Sequence, residues 1–163
     1  MIKNRLIGIV GFLFILAFPV SASMVSFLVV ETGLNENVPT NQLSTLWGGG
    51  LMGAFFDDGH IVTDSPVVRM EKRPAQDFTG QVEMDYIEAV EAGAEYFILG
   101  FLEYKIVSGR VTPVNIVVKL YDTDSKKLLF EQDFPVGTGR NLAEEHQIAQ
   151  NAGRVIIAHL KDR

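Results

Sequence analysis

Two spacings of apolar residues alternate along this chain, one suited to strands and one to helices. Residues 24–31 are β-branched and aromatic and stop at Thr32-Gly33, which predicts a first strand. Residues 34–41 contain Asn35, Asn37, Pro39 and Asn41 and read as a loop, with Asn41 or Ser44 placed to cap the next helix. From Gln42 to Asp57, Leu43, Leu46, Trp47, Leu51, Ala54 and Phe55 fall at helical spacing and form one apolar face. Gly48, Gly49, Gly50 and Gly53 oppose that helix, since each costs about 1 kcal/mol against alanine in a helix interior. Asp58-Gly59 stops it.

Short extended pieces come next at 60–62 and 67–70, around Pro66, and then a polar loop over 71–80. Residues 82–91 predict a short helix with Tyr86, Ile87 and Val90 inward, closed by Gly93. Residues 95–107 form a long apolar strand, turned at Ser108-Gly109. Residues 111–121 alternate, with Val114, Ile116, Val118 and Leu120 on one face and Asn115, Val117, Lys119 and Tyr121 on the other. A polar turn at 122–125 leads to a last strand over 128–136, where Pro135 suits an edge. A final helix runs from Asn141, its cap, to about Lys161, with Glu144 and Glu145 at its amino end. The order is β-α-β-α-β-β-β-α, an α/β (α+β) domain with a mixed sheet of about four or five strands and helices packed on it.

The amino-terminal segment has a different logic. Lys3 and Arg5 precede an uncharged apolar run over 6–20, Pro19 breaks it, and Val20-Ser21-Ala22 presents the small residues of a cleavage site. Residues 1–22 therefore read as a signal peptide cleaved after Ala22, leaving one domain over 23–163. The run is shorter than the roughly 20 residues that span a bilayer. An uncleaved anchor extended through 24–30 is the alternative, and it leaves the domain on the same outer side of the inner membrane, in the periplasm.

Composition narrows the chemistry. The chain has 163 residues and no cysteine, which excludes disulfides, thiolate metal sites, a thiol nucleophile and lipid acylation at cysteine. Loss of the two basic leader residues takes the net charge from −6 to −8. No basic cluster offsets it, so nucleic acid is not an expected partner.

Three phrases resemble those of bacterial envelope domains related to the TolB amino-terminal domain, CsgG and LpoB. They are residues 51–62 (LMGAFFDDGHIV), 92–100 (AGAEYFILG) and 118–131, a hairpin with a polar turn. The resemblance spans about residues 24–162 and implies a non-enzymatic adaptor or assembly module without a cofactor, acting on an envelope protein partner. TolB carries a propeller after this domain, and CsgG and LpoB are lipoproteins. This sequence has no acylatable cysteine, so no partner and no binding residue carries over.

Candidate sites are weighed against simpler roles. Gly48, Gly50 and Gly53 satisfy G-x-G-x-x-G, but a helix precedes them where a dinucleotide site needs a strand, so close packing or a kink is the expected role. Asp57, Asp58, His60 and Asp64 suggest a metal or acid–base site, yet read more simply as a helix end and turn; no metal is expected. His146 and His159 are too far apart to act together. Trp47, Phe55 and Phe56 are the candidate partner-binding residues, with core packing as the competing role. Phe97, Phe101, Leu102 and Tyr104 either line an apolar pocket or fill a central strand. Beside the interaction module stand two alternatives, a carrier for a small apolar ligand and an enzyme using Asp57, Asp58 and His60.

Overall fold

A computed structural model describes residues 22–34, 42–137 and 140–163. The expected leader before Ala22, the expected loop after Leu34 and the expected Asn41 cap fall outside these residues. The element order is β1 (Met24–Thr32), α1 (Gln42–Asp57), β2 (Ile61–Asp64), β3 (Val68–Met70), α2 (Gln81–Glu91), β4 (Tyr96–Val107), β5 (Arg110–Asp122), β6 (Leu128–Pro135) and α3 (Leu142–Lys161). Every predicted element is present. Among the described residues the sheet has six strands, because the two short pieces around Pro66 pair separately with β1: β2 with Met24–Phe27 and β3 with Val30–Thr32. Proline between them lacks an N–H and interrupts the ladder.

The sheet order is β2-β1-β4-β5-β6, with β3 also on β1. β1 runs parallel to β2, β3 and β4, and β4, β5 and β6 are antiparallel, so the sheet is mixed and open. β4 is central and apolar on both faces. Ile98, Leu102 and Tyr104 enter the core under α1 and α3, whereas Phe97, Leu99 and Phe101 enter the one under α2. Those aromatic residues fill a doubly covered strand. Among the described residues, no helix is long and apolar enough to cross a membrane.

Gly50 of α1 and Gly153 of α3 serve the α1–α3 seam. A Cβ on Gly50 would stand 2.5 Å from the Cβ of Ala149, and one on Gly153 would stand 2.6 Å from that of Ala54. Backbones approach this closely only where side chains are absent or small. Gly49 differs, because a Cβ there would meet nothing within 4 Å.

Two local expectations are corrected. Ser44 does not cap α1: it is the third helical residue, and its hydroxyl donates to Glu31. In α2 the buried residues are Val82, Asp85, Tyr86 and Ala89, while Ile87 and Val90 face outward. Tyr86 sets this rotation. Its hydroxyl donates to the Thr123 carbonyl at 2.6 Å, and Phe78 packs edge-on against its ring at 4.6 Å. Phe78 comes from the polar loop over 71–80. So does Asp77, which accepts from Lys119 at 2.6 Å and from Tyr121.

α3 begins as expected. Asn141 accepts from the Glu144 N–H at 2.9 Å and Glu144 accepts from the Asn141 N–H at 3.1 Å, a reciprocal capping box.

The seam predicts opposite outcomes for neighbouring glycines. Gly49→Ala should stabilise by about 0.5–1 kcal/mol through helix propensity. Gly50→Ala should destabilise by about 1–3 kcal/mol through overpacking. Urea unfolding of both variants measures the contrast.

Candidate functional site

In open α/β sheets, ligands favour the carboxyl ends of the parallel strands. Here that end holds a polar cluster drawn from four elements. Glu31, near the end of β1, is fully buried. Its Oε1 accepts from the Ser44 hydroxyl of α1, and its Oε2 accepts from Arg69 Nε at 3.0 Å and from Nη2. Arg69 lies opposite Glu31 in the β1–β3 register. Ser44 also meets the Tyr104 hydroxyl of β4 at 3.2 Å. Gly33 closes the strand end with φ +84°, pressed against the Tyr104 carbonyl, where a Cβ would overlap the oxygen. Burial pushes the Tyr104 hydroxyl up to about 12; Ser44 opposes that shift and the Glu31 charge adds to it. A charge-neutralised carboxylate beside a neutral phenol makes this cluster a lock rather than an acid–base pair.

A second polar chain lies at the opposite end of β1. Ser23 Oγ is 2.6 Å from His60 Nδ1, His60 Nε2 is 3.4 Å from Asp58 Oδ2, and Asp58 Oδ1 accepts from Lys161 of α3 at 2.6 Å. The order serine, histidine, carboxylate resembles a nucleophile with its base. The neighbouring backbone donors are occupied, however. Gly59 N–H donates to Phe56, His60 N–H to Phe55 and Ile61 N–H to the Ser23 carbonyl, so none of these three can stabilise an oxyanion. The chain tethers the start of β1 and the α1–β2 turn to the end of α3. Asp57 and Asp64 stay exposed and outside it. Among the described residues, no group of three or more histidines and acids is arranged to hold a metal.

The three aromatic candidates separate. Trp47 and Phe55 are fully buried and Phe56 is 67% exposed. Trp47 Nε1 donates to Glu145 Oε1 at 2.8 Å, and Phe55 packs edge-on to Phe27 at 5.4 Å. Glu145, itself buried, also accepts from the Gly137 N–H at 3.1 Å and from Arg140 at 3.4 Å. Two of the three aromatics therefore build the core, and only Phe56 of the three is available to a partner. His159 contacts the Leu129 carbonyl at 3.1 Å and Phe130, a packing role.

The surface feature that sequence reasoning missed is on α2. Met84, Ile87 and Val90 are 56%, 47% and 42% exposed. Their three-residue spacing places them side by side along the helix. Glu83, Glu88 and Glu91 border them, and no basic residue lies in the last turn of α2. The signal was present in the hydropathy of these positions, but the helix rotation that exposes them depends on Tyr86 and Phe78.

No protein-family model matches the sequence, and no curated protein matches it. Similarity is found among solved structures. PelC from Paraburkholderia phytofirmans, crystallised as a dodecamer, aligns over 81% of this chain and 86% of its own with 12% identity and a TM-score of 0.50. TolB from Acinetobacter baumannii aligns over 85% of this chain and 28% of its own, with 17% identity and a TM-score of 0.44. The LpoB C-terminal domain from Salmonella enterica aligns over 72% and 84%, with 11% identity and a TM-score of 0.44. The likeness to PelC is one of fold.

The Glu31 cluster is testable. Arg69→Ala leaves a buried carboxylate without its charge partner and should cost about 3–5 kcal/mol in urea unfolding. Tyr104 has a folded-state pKa above its ordinary 10.0. Its stabilising contribution is complete below that value and is lost as pH rises toward about 12, because the unfolded chain releases the proton first. Stability should fall with pH across this window, and less steeply in Tyr104→Phe. Tyr86 and Tyr121, whose hydroxyls are also pushed up chiefly by burial, leave a residual slope.

Proposed function

We propose that this protein is an exported, non-enzymatic interaction module of the bacterial cell envelope, which presents the outward face of α2 to an envelope protein partner in the periplasm. The observation that carries the reading is the row Met84, Ile87 and Val90, three large apolar side chains held in solvent on a helix whose opposite face is already packed. Adjacent exposed apolar side chains are characteristic of interaction surfaces, whereas scattered ones need no explanation. Phe56 is exposed as well, but at the end of α1 on the opposite face of the sheet, outside this surface. The amino-terminal leader pattern supports export. The fold likeness to PelC, and the resemblance of the sequence phrases to TolB, CsgG and LpoB, agree with a module of this kind.

Export and binding have separate tests. Amino-terminal sequencing of the protein from the periplasm should begin at Ser23; retention of residues 1–22 would make the leader an anchor. For binding, a photo-crosslinking residue at position 87 should join the protein to one partner in living cells, while one at the exposed position 155 of α3 should not. Met84→Glu with Val90→Glu should abolish the crosslink from position 87 while changing stability by no more than about 0.5 kcal/mol. Equal crosslinking from both positions would reject the α2 surface.

A further inference from the structure

A groove of about 320 Å³ lies between α1 and the β2–β3 margin of the sheet. It is separate from the α2 surface. Phe27 and Val29 of β1, Met52 of α1 and Val67 give it apolar walls, and Gly48 and Gly49 form part of its α1 side.

The glycines make the groove informative. Gly50 and Gly153 are explained by the α1–α3 seam, but Gly48 and Gly49 are not. A Cβ at 48 would make one ordinary contact of 3.5 Å with Val29, and a Cβ at 49 would make none within 4 Å. Neither residue adopts the positive φ that requires glycine. Both weaken α1 without serving its packing, and both fall where α1 lines the groove. Their effect is to leave that wall as bare backbone, open to an apolar group placed flat against it.

Charge decides what that group carries. Asp64 is the only ionised side chain among the described residues that line the groove. It is exposed at the end of β2 and forms no ion pair among the described residues. Thr45 and Ser65 add hydroxyls at the same margin. An apolar cavity of this size with a few convergent polar groups is the usual form of a small-molecule site.

We propose that this groove binds a small amphiphilic organic cation, with its apolar body against Gly48 and Gly49 and its positive head at Asp64. The environment-sensitive dye N-phenyl-1-naphthylamine, titrated into the full domain, should brighten on binding. Decyltrimethylammonium should displace it at concentrations at least tenfold lower than decyl sulfate. Asp64→Asn should bring that ratio close to one, whereas Asp57→Asn, which removes an acid outside the groove, should leave it unchanged. Gly49→Leu should weaken dye binding at least tenfold with an unchanged or higher melting temperature, and Gly49→Ala should retain binding. The proposal is overturned if the dye does not bind, if Gly49→Leu leaves binding intact, or if Asp57→Asn abolishes the cation preference as fully as Asp64→Asn.

Discussion

A fully buried carboxylate governs the carboxyl end of this sheet. Glu31 sits where β1, β3, β4 and the first turn of α1 converge, and an unpaired charge there would be costly enough to open the structure. Arg69 neutralises it, and in doing so holds three-residue β3 in register against β1. Ser44 uses the same carboxylate to place the start of α1, and Tyr104 extends the cluster into the central strand. One ionic contact therefore coordinates elements that are otherwise too short, or too rich in glycine, to be positioned by apolar burial alone.

The same logic recurs at the α1–α3 seam. Glycine and alanine let the two helices approach closely, but they supply little side-chain volume to fix rotation. The buried bond from Trp47 to Glu145 provides that constraint, and Glu145 also holds the Gly137 N–H and the Arg140 side chain near the entry to α3. Beneath α2, Asp77 collects Lys119 and Tyr121 in a third cluster. Each layer is aligned by a satisfied polar contact set inside an apolar surround, and such contacts specify geometry more than they add net stability.

This division bears on function. The polar clusters are internally satisfied, so they act as fasteners rather than as exposed reactive groups. Among the apolar surface that the fold leaves open are the row on α2, Phe56 at the end of α1, and the groove beside Gly48 and Gly49. The proposed interaction and the proposed cation site use different parts of that surface, on opposite faces of the sheet.

Much of the architecture was legible in the chain, because periodicity of 2 or 3.6 is a local property. α1 matched at both bounds, α3 carried its expected Asn141 cap, and β4 was readable as central from apolarity on both faces. The candidate sites were less legible. Trp47 and Phe55 look in sequence like Phe56, and only packing separates two core residues from one exposed aromatic. Ile87 and Val90 read as inward until the Tyr86–Thr123 bond and the Phe78 contact rotate α2. Glu31 and Glu145 carry no local mark of burial, since the Arg69 and Trp47 side chains that bond them lie 38 and 98 residues away. The elements could be read along the chain because each depends on neighbours in sequence. Tertiary structure alone decided which charges are buried, which helix face is outward and which glycines are needed for packing, because each depends on contacts between residues remote in sequence.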